Sequence, residues 1–193
     1  MDTVILASGS PRRRDLLARV KVPIKVISPQ INEVHEEGVP VADLVTGLAR
    51  RKVEAVLAML KLESPRWVLG VDTVVEIDGK ILGKPEGIEQ AESMLMALSG
   101  RIHRVYSGLA FLAEMGKPID LESVCTEVKF SEMAPDEVRF YLETGEWAGV
   151  AGAYRIQERG AFFVEWIRGS YSNVVGLPLE AFYVILRRNG YHF

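Results

Sequence analysis

One aspartate in the middle of an apolar run carries the clearest chemical demand in this chain. Trp67-Val68-Leu69-Gly70-Val71-Asp72-Thr73-Val74-Val75 reads as a strand buried on both faces, and a carboxylate there must be paired, hydrogen-bonded or bound to a metal. A second demand comes from Ser8-Gly9-Ser10-Pro11-Arg12-Arg13-Arg14. Ser10 suits a helix N-cap and Pro11 a first helical position, so the arginines fall where the helix end is already partly positive. Loop N–H groups, serine hydroxyls and guanidinium forks together suit a phosphate or polyphosphate; pairing of a solvated basic turn with Asp15 is the alternative. Successive helical residues point about 100° apart, so at most two of the arginines face one ligand, and Arg12 and Arg13 are the pair expected.

The elements that must position these groups follow from apolar spacing. Val4–Ala7 reads as a short buried strand leading into the Ser8–Ser10 turn, with a helix after it on Leu16, Leu17 and Val20. Lys25–Ser28 reads as a second strand, followed by a polar loop that holds Asn32, Glu33, Glu36 and Glu37. From Val41 to Leu60 the apolar positions fit one face of a long helix, and Lys52 interrupts that face. Such a lysine either snorkels to water or points into an anionic site. Asp78-Gly79 is a hairpin turn. If Ile77 pairs with Lys80, Thr73 stands opposite Lys84 and Asp72 is next along. Strict alternation puts Asp72 and Lys84 on opposite faces unless Gly83 marks a bulge.

Downstream, Gly87–Leu98 reads as a helix, Val105–Ala113 and Leu121–Phe130 as long antiparallel strands, and Pro135–Leu142 as a short helix. Ala161–Ile167 reads as a strand, Gly169–Asn173 as a loop and Pro178–Arg188 as a closing amphipathic helix. His103 is expected to be structural. Gln157 can both donate and accept, as reading a base edge requires, or can simply face solvent.

Composition sets the limits. The chain has 193 residues, 48% hydrophobic and 25% charged, with a net charge of −3. That is long enough for one good core or two small lobes, and it offers no broad basic surface for nucleic acid. The one cysteine, Cys125, excludes an internal disulfide framework or cysteine cluster. No segment approaches the ~18 apolar residues of a membrane span, and Val4–Ala7 is too short for a signal-peptide core. The expectation is a cytoplasmic protein with a local positive pocket for a small anion. The absence of a Gly-Lys-Ser/Thr phosphate loop leaves kinase or motor chemistry without support.

The segments ASGSPRRRDLL at 7–17, GVDTVV at 70–75, GKP at 83–85, LSGRIHRVYSG at 98–108, AGAYRIQ at 151–157 and GSYSNVVGLPL at 169–179 together resemble the Maf family, in the family's order and across the whole chain. The resemblance implies an α/β fold of the inosine-triphosphatase-like type. Residues 1–193 would form a single domain, an elongated mixed sheet flanked by helices, with two lobes around a central cleft, and a homodimer is expected. It further implies a pyrophosphatase that splits a free nucleoside triphosphate into the monophosphate and pyrophosphate with Mg²⁺ or Mn²⁺; the charge balance adds the expectation of no stable nucleic-acid partner.

Asp72 matches the family's catalytic carboxylate, as general base or metal ligand, and Glu33 and Lys84 match further catalytic polar positions, Glu33 also as a metal ligand. Arg12 and Arg13 match phosphate-binding arginines; Ser8, Ser10 and Lys52 line the same site. Arg12, Thr73 and Gln157 fall on the positions linked to base choice and look like the dTTP/UTP branch, with 7-methyl-GTP or another modified nucleotide as the alternative substrate. A non-catalytic nucleotide-binding regulator of septum formation is the other alternative. Val71 stands where Ala is commoner, and Asn32 where Asp is usual, which removes one metal-facing carboxylate.

Overall fold

A computed structural model of the chain describes residues 1–32, 38–60 and 65–192. Its first strand, β1 (Val4–Ala7), is wholly buried, as its apolar run requires. The chain then turns through Ser8–Ser10 into α1 (Pro11–Arg19), whose inner face is Arg13, Leu16 and Leu17. β2 (Ile24–Val26) is shorter than expected and begins one residue earlier. It pairs in parallel with β1, with Val4 opposite Ile24. The next helix, α2 (Val41–Met59), buries Leu44, Val45, Leu48, Ala49, Lys52, Val53 and Val56. That is the apolar stripe read from the sequence, lysine included.

β3 (Arg66–Ile77) runs parallel to β1 with Ala7 opposite Gly70. At the Asp78-Gly79 turn it reverses into β4 (Lys80–Leu82), and Ile77 pairs with Lys80 as the turn type predicts. Then come α3 (Ile88–Leu98), β5 (Ile102–Glu114), β6 (Asp120–Phe130) and α4 (Pro135–Glu143). With a last strand, β7 (Val164–Arg168), the strands pair in the order β2-β1-β3-β5-β6-β7, with β4 on β3, giving a mixed seven-stranded sheet with helices among the described residues. No helix among the described residues is long and apolar enough to cross a membrane.

Two expectations change in the last third. Residues 161–167 are not one strand: a 3-10 turn, Arg159–Phe163, precedes β7 (Val164–Arg168), which is antiparallel to β6. Gly160 is the reason, because its Cα lies so close to the Arg155 backbone that a methyl there would sit 2.6 Å from the Arg155 carbonyl oxygen. The tight fold-back leaves Phe162 exposed and Phe163 buried. Residues 169–173 are not a simple loop either. Tyr171–Val175 form a short helix, α5, and the Ser170 hydroxyl accepts the Asn173 N–H at 3.3 Å as an N-cap. The final helix, α6 (Leu179–Arg188), stands where its pattern put it.

The chain divides into two compact units, Met1–Asp72 with Ser107–Val124 and Gly176–Phe193, and Thr73–Tyr106 with Cys125–Val175. In the first, Ile5, Ala7, Ala49, Val53, Val56, Val68, Ala110 and Leu112 pack α2 onto the sheet, while Trp67 and Phe182 both pack on Phe111. The second has an aromatic core in which His103 meets Phe130 and Tyr154 edge-on. His103 Nε2 lies 2.9 Å from the Tyr154 hydroxyl. Its Nδ1 is buried with no partner among the described residues, so the histidine is structural, as expected.

Burial pulls the His103 pKa down to about 4. The unfolded chain therefore takes up a proton near pH 6.5 that the folded chain refuses until about pH 4, and stability falls as pH drops through that window. The loss has an upper bound of roughly 3 kcal/mol. Urea unfolding at pH 7 and pH 4.5 should show a smaller drop for His103→Gln than for the wild-type chain; equal drops would assign the acid sensitivity elsewhere.

Candidate active site

Strand alternation and register build this site from the inside. In β3, Gly70 and Asp72 point to the same face, which is the face covered by α2. On α2, Lys52 follows Ala49 by three residues and Val45 by seven, so it belongs to the stripe that lies on the sheet. The two charges meet there: Lys52 Nζ donates to Asp72 Oδ1 at 2.5 Å and to the Val71 carbonyl at 3.5 Å. Both side chains are below a tenth exposed. Of the two fates open to Lys52, snorkelling is excluded: its ammonium is buried against the Asp72 carboxylate.

The parallel pairing of Ala7 with Gly70 puts the turn after β1 beside the stretch of β3 that carries Val71 and Asp72. Ligand sites in open α/β sheets lie at such carboxyl ends of parallel strands. Ser8 is 5% exposed there. Its Oγ accepts from Arg13 Nη1 at 2.8 Å and from the Ser10 N–H at 3.3 Å. With both lone pairs engaged, the hydroxyl hydrogen is what Ser8 has left to offer, which is what a phosphate oxygen needs.

Arg13 is buried, and its Nε donates to the Gly176 carbonyl at 2.8 Å, tying the turn to the segment that precedes α6. Arg12 is half-buried and Arg14 exposed, so burial divides the three arginines around the helix. Ser10 occupies the N-cap position of α1, but its side chain makes no capping bond; its own N–H is turned back to Ser8 instead.

Thr73, Lys84 and Gln157 belong to the second unit. Thr73 is half-buried in β3, next to Asp72 in sequence. β4 ends at Leu82, so the hairpin ladder stops before Gly83 and no bulge is needed there. Lys84 is exposed beyond it, on a segment anchored by the Gly152 N–H donating to the Gly83 carbonyl at 3.2 Å. Gln157 is half-buried in a turn closed by the Glu158 N–H to the Arg155 carbonyl at 3.2 Å. Glu33, with Glu36 and Glu37, lies outside the described residues. Among the described residues there is no cluster of three or more acidic, histidine or cysteine side chains arranged to hold a metal.

Sequence reasoning named Arg13 without its framing role and missed Asn173 altogether. Arg13 stands three and four residues before Leu16 and Leu17, a spacing that marks it as part of the buried stripe. Asn173 is fully buried, its Nδ2 donating to the Val105 carbonyl at 3.0 Å and Thr126 Oγ1 at 2.9 Å, and a polar residue in a segment read as a loop held no clue to that.

The mixed sheet with flanking helices defines an α/β protein with a carboxylate–lysine pair just past the last parallel pairing of β1 with β3. The sequence profile of the Maf family, described as "Maf-like protein", matches residues 3–189. Proteins named dTTP/UTP pyrophosphatase are similar over nearly their whole length: that of Pelotomaculum thermopropionicum is 40% identical over 192 residues, covering 100% of this chain and 99% of the relative. The Clostridium acetobutylicum protein is 44% identical over 190 residues, covering 95% and 96%. That of Thermococcus onnurineus is 45% identical over 177 residues, covering 92% of each. Among solved structures, a HAM1 protein from Coxiella burnetii has a TM-score of 0.47 and 16% identity, covering 97% of this chain and 100% of that one. The chain belongs to the Maf family.

Removing one partner of a buried ion pair leaves the other charge uncompensated, at a cost of about 3–5 kcal/mol. Lys52→Met should therefore lower the urea unfolding free energy by about that amount. The double variant Lys52→Met/Asp72→Asn should recover part of the loss. Strictly additive losses would mean that the pair is not coupled in solution.

Proposed function

We propose that this Maf-family chain is a nucleoside triphosphate pyrophosphatase that hydrolyses dTTP and UTP to the monophosphate and pyrophosphate. The observation that carries the reading is the buried Asp72, paired with Lys52 at 2.5 Å and adjoining the Ser8–Arg13 turn, in a chain whose full-length relatives carry that enzyme name. Asp72 serves as the base: its carboxylate takes a proton from water as the water oxygen bonds to the α-phosphorus. The bond from the α-phosphorus to the bridging oxygen breaks, and pyrophosphate departs with the electron pair. Lys52 orients the Asp72 carboxylate. The Ser8 hydroxyl and the N-terminus of α1 donate to phosphate oxygens, while Arg12, Arg13 and Lys84 balance the charge that grows on the leaving pyrophosphate. Thr73, Gln157 and Arg12 select the pyrimidine.

Mg²⁺ fits this donor set because it commonly binds through one or two carboxylates together with substrate phosphates. Glu33 would hold Mg²⁺ or Mn²⁺, with Asp72 as a ligand only in place of its role as base, and the metal would supply charge neutralisation at the phosphates. The reading includes a cytoplasmic homodimer acting on free nucleotides and modified pyrimidine triphosphates as further substrates; the family resemblance supports both.

The test is pyrophosphate release from dTTP, UTP, CTP and 7-methyl-GTP with Mg²⁺ or Mn²⁺. Wild type should turn over dTTP and UTP, lose activity on chelation and regain it when metal is restored, and Asp72→Asn should fall by about 10²–10⁴-fold. A preference for 7-methyl-GTP would overturn the base assignment. Binding of dTTP without turnover would favour a non-catalytic nucleotide-binding role.

A further inference from the structure

Two glycines that take no part in any turn lie directly under the helix that carries Lys52. Gly70 on β3 and Gly108 on β5 both lack the positive φ that would demand glycine. What distinguishes them is space. A methyl on Gly70 would lie 2.2 Å from the Ala49 carbonyl oxygen and 2.8 Å from Val53 Cγ2. A methyl on Gly108 would lie 2.2 Å from the Val45 carbonyl carbon, 2.3 Å from its oxygen and 2.4 Å from the Thr46 nitrogen. The closest of these atoms are backbone of α2, which no rotamer change can move aside, so a side chain at either glycine must lift the helix.

The consequence falls on Lys52. Val45, Ala49, Lys52 and Val53 share one stripe of α2, and Gly70 shares a face of β3 with Asp72. Helices ordinarily keep their axes well away from a neighbouring element because side chains stand between them; here two missing side chains remove that spacing next to the lysine. Its ammonium thereby reaches both Asp72 Oδ1 at 2.5 Å and the Val71 carbonyl at 3.5 Å. We infer that Gly70 and Gly108 are positioning residues for the reaction, seating α2 against the sheet so that Lys52 holds the Asp72 carboxylate in its working orientation. The inference rests on the reading of Asp72 as base and Lys52 as its orienting partner.

The experiment measures kcat and KM for dTTP in Gly108→Ala, Gly70→Ala and Val53→Ile, each in the wild-type and the Lys52→Met background. Val53→Ile adds one methyl group at the Gly70 contact and serves as a milder wedge if the alanine variants do not fold. Val56→Ala, a core truncation on the same helix that opens space rather than lifting the backbone, is the stability control. The wedge variants should lose about ten-fold or more in kcat, since misplacement near 1 Å can cost about 10²-fold, with KM within about two-fold of wild type. In the Lys52→Met background they should cause no further loss, while Val56→Ala should keep wild-type kcat. Losses that multiply in both backgrounds, or an equal fall of kcat in Val56→Ala, would overturn the inference by showing a purely structural effect. Full turnover in both Lys52→Met and Asp72→Asn would instead refute the site reading itself, and the positioning role with it.

Discussion

The Lys52–Asp72 ion pair is the constraint around which the first unit is arranged. Both side chains are nearly buried, and desolvating two charges costs several kcal/mol per ion before any attraction is counted. Such a pair persists only if its geometry is good. The requirements are met by three unrelated parts of the chain: the register that starts β3 alongside β1, the alternation that turns Asp72 toward α2, and the glycines that allow α2 to come close. An apolar pair of similar volume would pack there at no electrostatic cost, so an ion pair in this position points to use rather than to stability.

The turn after β1 follows a different logic. The residue that frames it is Arg13. Its guanidinium holds Ser8 Oγ through Nη1 and the Gly176 carbonyl through Nε, which joins the beginning of the chain to the segment leading into its last helix. Arg13 is thus part of the frame of the turn, and the same bonds occupy the Ser8 oxygen as an acceptor. Positive charge and fixed donors at the start of a helix are what an anion with several oxygens requires.

Among the described residues, Glu76, paired with Arg104 at 3.6 Å, is the buried charge of the second unit, and the other polar groups buried there are neutral. Asn173 bridges the Val105 carbonyl and Thr126, Ser170 caps α5, and His103 shares a hydrogen bond with Tyr154 among aromatic rings. Burial holds the Tyr154 phenol protonated and keeps His103 neutral near physiological pH, so the aromatic cluster around them carries polarity without net charge. The contrast with the charged pair of the first unit is chemical: hydrogen bonds among neutral groups fix loops and turns, whereas a buried carboxylate retains reactivity.

Much of this was written locally in the chain. The strand through Asp72, the amphipathic stripe of α2 with Lys52 in it, the Asp78-Gly79 hairpin and the rotation that separates Arg12 and Arg13 from Arg14 each depend on spacing over a few residues, where backbone periodicity alone dictates direction. The motifs that tie the chain to its family are local in the same sense. Where local reading failed, a contact from nearby backbone or a capping side chain was responsible: Gly160 folding back on Arg155 turned part of an expected strand into a 3-10 turn, and Ser170 started a helix in an expected loop. Whether Lys52 snorkelled or paired was decided only by tertiary structure, because the answer depends on how closely α2 approaches a strand that begins several residues after the helix ends. The partnership of Arg13 with Gly176, across nearly the whole length of the chain, was decided in the same way. Periodicity states which side of an element a residue takes; only the packed fold states what stands opposite it and at what distance.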